Sequence, residues 1–224
     1  MTFLTSKITL CAFFIASFTV SFNSHSDTFE LTKFKSTQNL VKAGNKYITL
    51  LGDQVNVGEQ APPFKIVDQN FAPVTLADFQ GQTLLISVVP SLDTGVCSIQ
   101  TKRFNEEAAK LPKNITILTI SNDLPFAQKR FCDVEKTDNI KVLSDSVWRE
   151  FGARYGLLIK DMGLLTRAIF VIDNQGKIVY KELVANISQH PNYDKALTNV
   201  RSIASVIVID AEIAKEQSVQ KTEK

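Results

Sequence analysis

Apolar residues in this chain gather into short runs, separated by stretches whose polarity repeats at helical spacing. Thr83 to Val89 is an apolar, β-branched run closed by Pro90, the pattern of a buried strand. Beyond it Val96, Gln100, Phe104, Ala108 and Leu111 recur every three or four residues, as on one face of a helix, and Asp93 or Thr94 is placed to cap it. Ile115 to Ile120 reads as a second buried strand. A short helix follows, with Asn122 or Asp123 as its cap and Pro125 in its first turn, ending near Cys132. Lys141 to Leu143 reads as a third strand, and Ser144 to Tyr155 as a helix stopped by Gly156. Ala168 to Ile172 and Lys177 to Tyr180 flank Asp173-Asn174-Gln175-Gly176, which predicts a hairpin. A last helix is expected from about Asn192.

The segment before Thr83 is less regular. Tyr47 to Leu50 alternates, Gly52-Asp53 offers a turn, and Val55 to Val57 could return, so a hairpin is expected there. Lys65 to Val67 reads as a short strand and Val74 to Phe79 as a helical turn or loop. Strands alternating with helices, plus one antiparallel hairpin, predict an α/β domain with a mixed sheet and flanking helices.

The chain ends differ from the middle. Lys7 precedes Ile8 to Phe22, an uncharged apolar run, and small polar residues follow at Ser24 and Ser26. That order predicts a secretory signal peptide over residues 1–26, the alternative being an uncleaved anchor in the membrane. Residues 27–45 are polar and Lys-rich and read as a flexible spacer. The domain is then expected over 46–210, and 211–224 as a polar tail.

With 25 basic and 23 acidic side chains in 224 residues, no charged partner is implied. Removing Lys7 with the leader leaves 24 basic against 23 acidic, and nucleic-acid binding needs a concentrated basic face. Cys97 and Cys132 would remain of the three cysteines, and His190 of the two histidines. One His and two Cys make a poor zinc site, and neither cysteine has another three residues away, which excludes a CxxC redox motif. An even pair in an exported protein commonly forms a structural disulfide, so a non-catalytic binding domain is the competing reading.

Cys97 falls in the first turn of the helix after the strand Thr83 to Val89. Unpaired N–H groups and the positive helix end favour a thiolate there; the alternative is a small buried apolar residue. Arg167 opens the apolar strand Ala168 to Ile172, where a guanidinium is rarely buried without a partner. Otherwise it is a strand-end side chain reaching for water. Arg103 and Arg130 lie on helices that expose such side chains.

The string Pro90-Ser91-Leu92-Asp93-Thr94-Gly95-Val96-Cys97 carries a Pro-x-x-x-Thr-x-x-Cys pattern and resembles the active-site loop of the peroxiredoxins. Together with Ser121-Asn122-Asp123-Leu124-Pro125-Phe126 through Cys132, it is similar to their thiol peroxidase (atypical two-cysteine) branch. The likeness runs from about Lys46 to about Val200. It implies a thioredoxin-like fold of peroxiredoxin type with an N-terminal β-hairpin. It also implies a peroxidatic Cys97, a resolving Cys132 and an intramolecular Cys97–Cys132 disulfide. Thr94 would orient the peroxide, Pro90 shield the pocket and Arg167 supply positive charge. Substrates would be hydrogen peroxide and organic hydroperoxides, with no metal, haem or flavin. A homodimer and a thioredoxin-like dithiol reductant are implied too. Export departs from the usual cytoplasmic member, so a periplasmic dithiol donor is expected. Leu164 and Leu165 would suit a lipid tail or simply the core.

Overall fold

The computed structural model describes residues 34–203. The expected leader, residues 27–33 of the expected spacer, and residues 204–224 of the domain end and tail lie outside the described residues. The elements run β1 (Ser36–Ala43), β2 (Lys46–Leu51), β3 (Lys65–Val67), β4 (Pro73–Thr75), β5 (Thr83–Val88), α1 (Gly95–Ala108), β6 (Ile115–Ser121) and α2 (Pro125–Glu135). β7 (Lys141–Ser144), α3 (Glu150–Arg154), β8 (Leu158–Ile159), β9 (Ala168–Ile172) and β10 (Ile178–Leu183) follow, and a helix over 193–203, α4, ends the described chain.

Seven strands form one mixed sheet in the order β10-β9-β5-β6-β7-β3-β4. β5, β6 and β7 run parallel, while β9 lies antiparallel to β5 and β10 to β9. All six residues of β5 are buried, as befits a strand covered on both faces. Its side chains therefore divide by parity. Leu84, Ile86 and Val88 enter one apolar cluster with Ala168, Phe170, Ile172 and the α3 residue Phe151. Leu85 and Val89 enter the other with Ile169, Val171, Cys97 and Phe104. By the same period of two, Ser87 on β5 and Arg167 at the head of β9 face the side that α1 covers.

Two expectations need correction. The hairpin is not Tyr47 to Val57. β2 turns back through Gly44 and Asn45 to pair with β1, so residues 36–45 belong to the domain rather than to the spacer. β1 reads Ser-Thr-Gln-Asn-Leu-Val-Lys-Ala and buries only Val41, which leaves a polar pattern easily taken for a linker. Gly52 is not a turn glycine. Its φ is +107°, and a Cβ there would stand 1.9 Å from the Ala153 carbonyl oxygen.

The helix expected over Ser144 to Tyr155 is also shorter. Ser144 ends β7, Arg149 is left-handed at φ 55°, and only Glu150–Arg154 is helical before Gly156. Asp145 explains the break. Its carboxylate accepts the N–H groups of Phe151 at 3.0 Å and Gly152 at 2.8 Å, capping α3 from six residues upstream.

Asp145 is fully buried, and that burial pushes its carboxyl up to about 7 against the two N–H bonds that lower it. The folded chain thus holds a proton there that the unfolded chain releases near 3.8. Stability carried by this group is complete below that value and is lost as pH rises through about 7. Asp145→Asn should remove this dependence. Urea unfolding across the window should show wild type losing up to about 1.4 kcal/mol per pH unit relative to the variant. Parallel curves would contradict the assignment.

Candidate active site around Cys97

The sheet delivers the loop that carries Cys97. β5 stops at Val88, Val89 donates to the Ile120 carbonyl, and buried Pro90 ends the strand by supplying no further N–H. Asp123 then clamps the turn that follows. One carboxylate oxygen accepts from Ser91 Oγ at 2.7 Å, the other from the Leu92 N–H at 2.8 Å and from Ser121 Oγ at 2.8 Å. Asp123 is therefore not the cap of α2, whose N-cap is Leu124 with Pro125 next. It ties the end of β6 to the loop before α1.

Thr94 is the N-cap of α1, with extended backbone and no capping bond from its own side chain. Its hydroxyl donates to the Ser91 carbonyl at 3.0 Å and its residue is exposed. Cys97 follows in the first turn, 0% exposed. The helix turns Cys97, Gln100, Thr101 and Phe104 inward, and Ala108 and Leu111 pack against the same cluster, so the expected stripe holds from Gln100 onward, with Cys97 rather than Val96 at its head.

Arg167 meets Cys97 there. It is 1% exposed and the largest fully buried side chain. Nη2 donates to Cys97 Sγ at 3.1 Å and to the Ile187 carbonyl at 2.8 Å, Nε to the same carbonyl at 3.0 Å, and Nη1 to Gln100 Oε1 at 2.6 Å. Gln100 Nε2 in turn donates to Ser87 Oγ at 2.8 Å. A buried guanidinium is costly unless every donor is directed. Here the acceptors come from α1, from the segment after β10, and from the cysteine itself. The fork geometry fixes the cation against the sulfur.

Gln100 was named in the sequence only as a position on a helix face. Its signal was its polarity. A glutamine on an otherwise apolar face, one turn after Cys97, and a serine inside a wholly buried strand both require partners, and they partly satisfy each other. Tyr193 closes the neighbourhood. Its ring meets Phe104 edge-on with centroids 5.5 Å apart and its hydroxyl lies 2.6 Å from His190 Nδ1. Burial holds that phenol above its ordinary range, opposed by the Arg167 and Arg103 guanidiniums, so the wall it presents is neutral.

Cys132 sits in the last turns of α2 and packs half-buried against the apolar cluster that contains Cys97. Both cysteines are free thiols. Gln69 Nε2 donates to Cys132 Sγ at 3.1 Å. Burial pushes this thiol up, Asp133 and Asp138 reinforce the rise, and the Thr137 hydroxyl and Gln69 amide oppose it.

The structure thus brings Cys97 and Arg167 into contact, with Pro90 buried at the root of their loop. Arg103 pairs with Asp194 at 2.9 Å and covers the Tyr193 ring, and Arg130 is exposed. Leu165 is wholly buried in the main core, while Leu164 packs beside Ile159. Among the described residues, no group of three His, Cys, Asp or Glu side chains could hold a metal ion.

A family model described as Redoxin matches residues 56–197. A thiol peroxidase of Bacillus subtilis is 46% identical over 156 residues, covering 70% of this chain and 93% of that protein. One from Listeria innocua is 49% identical over 150 residues, covering 67% and 90%. Among solved structures, a peroxiredoxin-like protein from Aquifex aeolicus superposes with a TM-score of 0.69 at 36% identity, covering 74% of this chain and 98% of that one. A thiol peroxidase from Chromobacterium violaceum shares the fold, with a TM-score of 0.65 at 24% identity over 72% of this chain and 95% of that one.

Proposed function

This chain belongs to the Redoxin family, among the relatives of its thiol peroxidases, and from that premise we propose that Cys97 is the peroxidatic nucleophile and Cys132 the resolving thiol. The activity is thiol-dependent peroxide reduction on a thioredoxin-like fold. The observation that carries the residue assignment is the 3.1 Å contact between Arg167 Nη2 and the buried Cys97 sulfur at the start of α1.

Cys97, as thiolate, attacks one oxygen of the hydroperoxide. The S–O bond forms as the O–O bond breaks, and the departing alkoxide or hydroxide takes a proton and leaves as alcohol or water. Arg167 faces the charge as it moves from sulfur towards oxygen. In this reading Pro90, buried behind the loop, shields the sulfur from water, and Thr94, exposed with its hydroxyl on the Ser91 carbonyl, orients the arriving peroxide. Cys97 is left as a sulfenic acid. Cys132 attacks that sulfur, the S–S bond forms, and hydroxide leaves with the proton as water. A thioredoxin-like dithiol protein returns two electrons and restores both thiols. Because burial keeps the Cys132 thiol protonated, resolution should follow its release from beneath Gln69 and from the end of α2.

Two readings extend this one. Export of the chain, with a periplasmic dithiol donor, is supported by the uncharged run Ile8 to Phe22 after Lys7. A homodimer is supported by the exposed Phe126 ring and its neighbour Phe71, with centroids 5.1 Å apart. Cell-envelope fractionation reads the first and light scattering of the purified protein the second.

One equivalent of peroxide should remove two thiols per chain, and peptide mapping should find Cys97 joined to Cys132. Cys132→Ser should consume a single equivalent, leave Cys97 as a dimedone-reactive sulfenic acid, and form no internal disulfide. Loss of two thiols with the link absent would overturn the pairing.

A further inference from the structure

Arg167 rests on one carbonyl that belongs to no helix or strand. The Ile187 oxygen accepts two of its N–H groups, and Ile187 lies in the segment that leaves β10. Such a segment has no ladder of its own to hold it. What holds it is the N-terminal hairpin. Lys42 N–H donates to the Ala185 carbonyl at 2.8 Å, and the Ile187 N–H donates to the Lys42 carbonyl at 3.0 Å. Asn186 adds a bond from its Nδ2 to the Gly44 carbonyl at 3.2 Å. Side chains on the same elements agree, since Val41 and Leu50 of the hairpin form a small apolar cluster with Ile159, against which Ile187 packs.

The bonds of Lys42 to this segment use both polar groups of a single residue. In an antiparallel strand, N–H and C=O of one residue point to the same side. Lys42 therefore spends its peptide groups on residues 185–187, facing away from β2. Its side chain does something else, lying 4.7 Å from the Tyr47 ring centroid.

We propose that the backbone of Lys42 on β1 is a positioning element for Arg167, acting through the Ile187 carbonyl. This rests on the reading of Arg167 as the cation that faces the reacting sulfur and oxygen. The chain of contact is short: hairpin, Ile187 carbonyl, guanidinium, Cys97 sulfur. Its physical basis is that a guanidinium stabilises developing charge only while its fork is aimed, and a misplacement of about 1 Å can cost on the order of a hundredfold in rate. The hairpin is thus part of the active site's support although it contributes no side chain to it.

Lys42→Pro tests this in the whole protein. Proline removes the N–H to Ala185 and takes no bond from the β1–β2 ladder, because the Lys42 N–H points away from β2. Lys42→Ala keeps both peptide groups and removes only the contact with Tyr47. Three quantities are read for each: the rate constant of Cys97 oxidation by peroxide, the rate of disulfide formation, and the urea midpoint. Lys42→Pro should slow oxidation about tenfold and leave disulfide formation unchanged, while Lys42→Ala stays within about twofold of wild type. In an Arg167→Lys background, Lys42→Pro should add less than about twofold, because its route to the sulfur is already gone.

Oxidation at the wild-type rate in folded Lys42→Pro would overturn the inference, as would an equal loss in Lys42→Ala or a full additional loss over Arg167→Lys. If Lys42→Pro fails to fold, Val41→Ala carries the test, since it loosens the hairpin through the Ile187 cluster. It should slow oxidation about threefold and show the same dependence on Arg167, and an independent loss would overturn the proposal. An Arg167→Lys enzyme as fast as wild type would instead refute the role of Arg167 itself.

Discussion

Cys97→Ser should leave peroxide turnover below about one-thousandth of wild type with dithiothreitol as reductant, while the protein stays folded. Serine fits the site, because a hydroxyl can accept from Arg167 as the sulfur does at 3.1 Å. What it lacks is a sulfur nucleophile. An alcohol needs a positioned base to attack an O–O bond. The group that hydrogen-bonds the sulfur is Arg167, a cation; the Gln100 amide beyond it is committed to Arg167 and Ser87, and burial keeps the nearby Tyr193 phenol protonated. The change in stability should be small, about 1 kcal/mol, so loss of activity with a retained urea midpoint separates chemistry from folding. Turnover at the wild-type rate would return the chain to the competing reading, a binding domain that keeps the fold without its nucleophile.

Arg167→Lys should slow oxidation of Cys97 about a hundredfold, the scale for removing one preorganised charge-stabilising donor. Lysine keeps the charge but not the fork. A single ammonium cannot reproduce the four N–H bonds to Cys97, Gln100 and Ile187. The loss should lie in the oxidation step and be absent from disulfide formation, which single-turnover mixing separates. Arg167→Met should be slower still and less stable, by about 1–3 kcal/mol for each carbonyl left without its donor, the Gln100 and Ile187 oxygens being the two exposed to that cost. An unchanged oxidation rate in both variants would remove Arg167 from the mechanism.

Much of this architecture was legible in advance because it is local. The run Thr83 to Val89 is apolar on both parities, which fits only a strand covered on both faces, and β5 is buried throughout. Gly176 closed the β9–β10 hairpin as its turn chemistry required. The first turn of a helix is a chemical environment fixed by the backbone alone, so a cysteine placed three residues after its cap could be read as a candidate nucleophile, with a small buried apolar residue as the alternative.

Where the reading missed, the deciding contacts were distant. Ser144 to Tyr155 has helical spacing, yet its first half is drawn away by Asp145, whose carboxylate prefers two N–H groups six and seven residues ahead. Asp123 had the identity of a helix cap and was taken instead by Ser91 and Leu92, about thirty residues back. β1 carries one buried residue in eight, so its pattern could not declare a strand. What makes it one is the pairing with β2 on one side and with residues 185–187 on the other.

The sequence by itself determined the α/β layering, the strand-to-helix junction and the thiol at its head, because these follow from side-chain period and from backbone groups within a few residues. Only the tertiary structure decided what surrounds that thiol. Arg167 lies 70 residues beyond Cys97 and Gln100 67 residues before Arg167, while the carbonyl that steadies the guanidinium is held by a hairpin nearly 150 residues upstream. A buried cation must have all its donors met, and which groups meet them depends on how sheet, helix and hairpin close on one another, a matter no local pattern records.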